Sequence, residues 1–137
     1  MITTALATSA KLGWLTGVHA PTDVYKIALY TSAASLDSTT TAYVSADEIT
    51  SSGYNIGGEV LSGYSATVDG TAAILTFSNP SWPNASIVAA GALIYNSSKA
   101  NAAIAIISFG GDAASTNAAF TIQFPAFDAA HALIRFS

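Results

Sequence analysis

The most constraining feature of this chain is a stretch without a single charged or amide side chain, Ile87-Val88-Ala89-Ala90-Gly91-Ala92-Leu93-Ile94-Tyr95. Its nine residues are about half of the 18 or more that a membrane-spanning helix requires. Turn-formers close it on both sides, Asn84-Ala85-Ser86 before and Asn96-Ser97-Ser98 after. A short apolar run between turn signals fits a central strand covered on both faces. The rest of the chain must then supply neighbouring strands and covering layers.

It carries the signals to do so. In Val24-Tyr25-Lys26-Ile27-Ala28-Leu29-Tyr30 the period is two, with Tyr25, Ile27 and Leu29 on one face. Asp69-Gly70 lies between Ala66-Thr67-Val68 and Thr71-Ala72-Ala73-Ile74-Leu75-Thr76-Phe77, a strong hairpin signal because Gly accepts the positive φ of a primed turn. A further strand is expected over Ala102 to Phe109, stopped by Gly110-Gly111-Asp112. Two more are expected, at Phe120-Thr121-Ile122-Gln123-Phe124 and at Ala132 to Phe136, and a short irregular one over Ala42 to Ile49. Residues 31–41 read as a surface loop, and the glycines of 51–65 read as turns and bulges. Ser78-Asn79-Pro80-Ser81-Trp82-Pro83-Asn84 reads as a loop, since its prolines exclude helix and central strand. Residues 1–16 read as a short helix ending at Gly17. About seven strands with frequent turns predict an all-β fold, an antiparallel β-sandwich of jelly-roll or immunoglobulin-like type. The expected organisation is an N-terminal helical segment or arm over 1–20 and one sandwich domain over 21–137.

Charge is scarce. The chain of 137 residues has 4 Lys plus Arg, 8 Asp plus Glu and no Cys, with 28 Ala, 17 Ser and 15 Thr. Four cations are too few for nucleic-acid binding, which depends on neutralising several phosphates. The absence of Cys excludes disulfides and thiolate chemistry. The N-terminus has no basic segment ahead of an apolar one, so no signal peptide is expected. A monomer of this mass exposes roughly 6,700 Å², and twelve charges cannot dominate that area. A surface of small uncharged residues suits a protein that buries much of it against copies or partners. The alternative is an Ala/Thr-rich protein kept soluble by hydrated hydroxyls.

Catalytic patterns are weak. Asp128 and His131 have the spacing to meet on one turn, but no G-x-S-x-G elbow accompanies them. Asp47 and Glu48 are adjacent and would point to opposite faces of a strand, a poor pair for glycoside hydrolysis. No D-x-D-x-D-G loop and no phosphate-binding loop occurs, so neither a metal ion nor a cofactor is expected. Trp14 and Leu15, on the N-terminal helix, and Trp82 and Pro83, in the Pro-rich loop, are the candidates for partner contact. Trp82 fits either an exposed anchor or a plug over the end of the sandwich.

Several segments in this order resemble a family of small virion proteins of tailed bacteriophages. They are Lys11-Leu12-Gly13-Trp14-Leu15-Thr16-Gly17-Val18-His19, Tyr25 to Ala34, Thr40-Thr41-Ala42-Tyr43, Glu48, Gly53-Tyr54 and Gly57-Gly58. The likeness resumes at Ala90 to Ser98, Ile107-Ser108-Phe109-Gly110-Gly111-Asp112, Phe120 to Pro125 and Ile134-Arg135. It spans nearly the whole chain without one diagnostic motif, and the chain is poorer in charge than the family. The resemblance implies a non-enzymatic structural component of the virion, foremost a capsid decoration or cement protein. Its implied partners are the major capsid protein and copies of itself, as a homo-oligomer on the particle surface, with no nucleic-acid or membrane partner. The rival of a different class is a receptor- or glycan-binding module on a tail fibre or baseplate.

Overall fold

The computed structural model describes residues 1–136. It is 43% strand in antiparallel sheets and 6% helix, so the chain has an all-β fold with one short helix. The nine-residue apolar run forms the centre of the largest sheet, as its composition requires. This strand, β7 (Val88–Asn96), lies between β2 (Tyr25–Tyr30) and β8 (Ala102–Ala114). Two very short strands close the edges, β1 (Ala5–Leu6) beside β8 and β3 (Glu59–Val60) beside β2.

The antiparallel register fixes the faces. Tyr25, Ile27 and Leu29 stand opposite Asn96, Ile94 and Ala92 and share a face with them, while Lys26, Ala28 and Tyr30 share the other with Tyr95, Leu93 and Gly91. The Tyr25 face is covered in two pieces. One is the three-stranded sheet of β4 (Ser65–Asp69), β5 (Ala72–Thr76) and β10 (Ile134–Phe136). It is continued by Phe77, whose ring lies 5.4 Å from that of Tyr25. The other is the ribbon of β6 (Ser81–Ala85) and β9 (Ala118–Thr121), which brings Trp82 and Phe120 to 6.1 Å. The layers enclose one principal core.

Several expectations shift. The helix, α1, runs only over Thr8–Leu15. The residues before it are held as extended chain: Ile2 bridges Leu36, β1 pairs with β8, and the Ala7 N–H donates to the Ile104 carbonyl at 2.9 Å. Main-chain partners at a sheet edge outweigh Ala helix propensity there. Residues 1–20 therefore do not form a separate arm, because Ile2, Ala7 and Ala10 belong to the core. Gly17 does end the helical segment, at φ +77°. The Pro-rich stretch contains a strand, β6, but only in a two-stranded ribbon. There Pro83 and Asn84 (φ +53°) fall between the paired residues Trp82 and Ala85. Gly110-Gly111 do not stop β8. Ala89 pairs with Ala113 and Gly91 with Ser108, so residues 109–112 form an excursion within one strand. Residues 42–49 make two isolated bridges, Ala42 to Ala102 and Tyr30 to Glu48. Among the described residues no helix is long and apolar enough to cross a membrane.

Candidate functional site

Of the four residues expected at a partner surface, the two regions fare differently. Trp82 is 1% exposed, packed between Tyr54 and Phe120 at 6.1 Å from each. The exposed-anchor reading falls for Trp82, because pairing of β6 with β9 turns the indole into the core. Pro83, the next residue, is exposed. The indole Nε1 of Trp82 has no hydrogen-bond partner among the described residues. On α1, Trp14 is half-buried against His19 (5.0 Å) and Phe136 (5.5 Å, edge to face). Leu15 is 84% exposed, and Leu12 and Val18 flank it at 62% and 40%. Three large aliphatics thus stand at three-residue spacing on the outer side of α1 and its following turn.

Behind each tryptophan lies a carboxylate that the sequence does not announce, Glu48 buried and Asp23 half-buried. Tyr54 packs on Trp82, and its hydroxyl donates to Glu48 Oε2 while accepting the Leu29 N–H at 3.0 Å. Glu48 is buried and also receives the Tyr43 hydroxyl and the Gly57 N–H (2.7 Å). Tyr43 stacks on Tyr95 at 4.7 Å, and the Tyr95 hydroxyl donates to the Gly57 carbonyl at 2.6 Å. This is a carboxylate saturated by neutral donors. Burial and Glu48 together push the Tyr43 and Tyr54 hydroxyls well above the ordinary phenol value, so they remain donors. Adjacent Asp47, at φ +62°, turns out to solvent.

Trp14 leads to the second group. His19 is buried beneath it, and a Cβ at Gly13 would stand 2.5 Å from His19 Nε2, so only glycine fits that turn of α1. Asn96, fully buried on β7, joins the two elements. Its Nδ2 donates to Asp23 Oδ2 (2.8 Å) and to His19 Nδ1 (2.9 Å), and its Oδ1 accepts the Ser98 N–H (3.0 Å). A carboxylate only accepts, which orients the amide and makes His19 Nδ1 an acceptor in a neutral ring. Burial lowers the His19 pKa, Asp23 opposes this and Lys99 adds to it. Lys99 Nζ lies 2.8 Å from Asp23 Oδ1. With the Asn96 amide, it holds the Asp23 carboxyl down at about 2.

Neither group offers a free acid or base beside a substrate-sized space. A cleft of about 410 Å³ lies between the β1–β8 edge and residues 122–135, walled by Leu6, Ile107, Phe124 and Leu133 with His131 and Arg135 beside them. His131 Nδ1 does meet Asp128 Oδ1, at 2.9 Å, in an exposed turn where Asp128 also accepts the Ala130 and His131 N–H groups. That is turn chemistry, and among the described residues no serine hydroxyl bonds to His131. Among the described residues no three His, Cys, Asp or Glu side chains converge as a metal site. What α1 and its following turn leave in solvent is aliphatic, Leu12, Leu15 and Val18, beside the half-buried Trp14. No protein-family model matches the chain, and no curated protein or solved structure was found to match it.

Proposed function

We propose that this chain is a non-enzymatic structural protein of a tailed-phage virion, a capsid decoration or cement protein that stabilises the shell. The observation that carries the reading is the surface. The chain has only 12 charged side chains, one of them the buried Glu48, for an accessible area of 6756 Å², and Leu12, Leu15 and Val18 stand exposed on α1 and its following turn. Such a surface is suited to contact with repeated copies of a larger protein, where many weak sites stabilise the assembly by mass action. The buried Glu48 and the half-buried Asp23 are both engaged by partners within the fold, which favours a scaffold over a catalyst. A glycan-binding module uses exposed aromatic rings as stacking platforms. Here every Trp and Tyr is buried or half-buried, and Phe127, at 40%, is the one exposed aromatic ring among the described residues.

The test is an electron-microscopy map of the phage particle that carries this protein, together with rebinding of the purified protein to heads depleted of it. The expected result is density for this fold at repeated positions on the capsid and saturable rebinding that survives about 1 M salt, because charge steering contributes little. Density confined to the fibre or baseplate, or release by salt alone, would overturn the reading.

A further inference from the structure

Sheet edges are where a β protein is open to pairing with another chain, and the short edges of this fold are guarded in different ways. β1 and β3 have two residues each, and β10 has three and carries Arg135. β6 contains Pro83, and its ribbon with β9 is broken in register between Trp82 and Ala85. β4 has none of these devices. Its five residues, Ser65-Ala66-Thr67-Val68-Asp69, pair in unbroken register with β5 and are all exposed, Val68 at 70%. The strand has no Pro, no Lys or Arg and no positive φ.

The turn fixes which main-chain groups face outward. Asp69 pairs with Ala72, leaving Gly70-Thr71 as a two-residue loop with Gly70 at φ +62°, the requirement of a II′ turn at its first position. In such a hairpin the residues flanking the loop exchange both hydrogen bonds, and the pattern alternates from there. Ser65, Thr67 and Asp69 therefore spend their N–H and C=O groups on β5. Those of Ala66 and Val68 point away from it, and among the described residues they make no other hydrogen bond.

We infer that β4 is a self-association edge, at which two copies of this chain pair β4 against β4, antiparallel, about a two-fold axis through Thr67. That register sets Ala66 opposite Val68 of the second copy, and Val68 opposite its Ala66. The outward groups form two reciprocal pairs, four hydrogen bonds in all, and Thr67 faces its own copy as the non-bonded pair between them. The strand's one charged residue, Asp69, falls opposite a serine, so no like charges meet. Its carboxylate is already engaged by the Ala129 N–H at 2.7 Å. The pairing joins two three-stranded sheets into one of six. Because the surface is isologous, it closes on a dimer and leaves the α1 row of each copy open. The inference deepens the decoration-protein reading by naming the surface through which copies meet. Its test uses the free protein, so it can fail while shell binding stands.

The chain has no cysteine, so Thr67→Cys installs a single thiol at the dyad. Non-bonded antiparallel pairs have Cα atoms about 4.5 Å apart, inside the disulfide range of about 4.4 to 6.8 Å. Under mild oxidation, Thr67→Cys should form a disulfide-linked dimer at least about tenfold faster than Thr71→Cys in the adjacent loop, because pairing raises the effective thiol concentration. Adding Val68→Pro, which removes an outward N–H and none bonded to β5, should erase that advantage, with circular dichroism reporting retained strand. Should Val68→Pro unfold the hairpin, Thr67→Lys gives the second readout, in which facing cations lower dimer formation of the cysteine-free protein in sedimentation velocity. Equal rates for Thr67→Cys and Thr71→Cys would overturn the inference.

Discussion

The two tryptophans sit in parallel arrangements with opposite outcomes. Each is backed by an aromatic or imidazole ring, and behind that ring lies a carboxylate. At Trp82 the sequence of contacts runs through Tyr54 to Glu48, and every member is buried. At Trp14 it runs through His19 and Asn96 to Asp23, and both ends are open: the indole is half-buried and Asp23 meets the partly exposed Lys99. The first carboxylate is met by neutral donors alone, the second by a cation together with the Asn96 amide and the Ala20 N–H. The first arrangement is part of the main core. The second docks the N-terminal segment and leaves an apolar row in solvent. The lesson is that a Trp in a rigid Pro-flanked segment becomes a core residue once the segment finds a strand partner. A Trp on a two-turn helix at the sheet margin stays at the boundary.

The largest effect should come from the Trp82 arrangement. Trp82→Ala removes a fully buried indole and should cost about 3–5 kcal/mol in denaturant unfolding. Trp82→Phe should cost much less, because Nε1 has no partner to lose. Glu48→Ala should follow at about 2–4 kcal/mol, since it strips the Tyr54 hydroxyl and the Gly57 N–H of their acceptor inside the fold. If Trp82→Ala unfolds no more easily than Trp14→Ala, the contrast between the two tryptophans is wrong.

At the Trp14 arrangement the effects are smaller. Trp14→Ala should cost about 1–2 kcal/mol, as expected for a half-buried ring. The same arrangement should also carry the acid sensitivity. His19 has its folded pKa below the ordinary 6.5, so its neutral form is the one that fits. That contribution is whole above about 6.5 and is lost as pH falls through the lower folded value. Asp23, held at about 2 against an ordinary 3.8, contributes fully above 3.8 and loses its contribution as pH falls toward 2. Stability measured from pH 7 to 3 should therefore fall, and His19→Gln should flatten the upper part of that fall. An unchanged profile in His19→Gln would place the sensitivity elsewhere.

The fold was more legible than the site, for physical reasons. The Ile87–Tyr95 run and the alternation of Tyr25, Ile27 and Leu29 are local patterns, and burial follows from them directly. β6 was not legible, because Pro80 and Pro83 argue against a strand and only β9, more than thirty residues later, supplies the partner. The extent of β8 was hidden for the same reason. Gly110-Gly111 look like a stop until Ala113 and Ala114 pair with β7. Asn96 gave no signal, since Asn-Ser-Ser reads as a turn, yet its amide joins residues 73 and 77 positions away. Nor did Glu48, whose three donors come from Tyr43, Tyr54 and Gly57. Leu15 was legible as a candidate contact residue on a short helix, but not its degree of exposure. Its exposure depends on which face of α1 the sheet accepts.

The smallest stability effect, and the one most informative about function, belongs to Leu15. At 84% exposed it contributes little to the isolated fold, so Leu15→Ser should change unfolding stability by no more than about 0.5 kcal/mol. If the α1 row is the surface that meets the shell, the same substitution removes a buried aliphatic from the interface. Burying a Leu side chain is worth about 1.5–3 kcal/mol, so affinity for depleted heads should drop by roughly tenfold or more, at about 1.4 kcal/mol per tenfold. Leu12→Ser should act in the same direction, with Leu12 62% exposed on the same side of the helix. Pro83→Ala, beside Trp82, serves as the matched control, since Pro83 is exposed but follows a tryptophan turned inward. Binding should be nearly unchanged in that variant. Loss of binding in Pro83→Ala with Leu15→Ser unaffected would reverse the assignment, making the ribbon the contact surface and the α1 row an idle exposed patch.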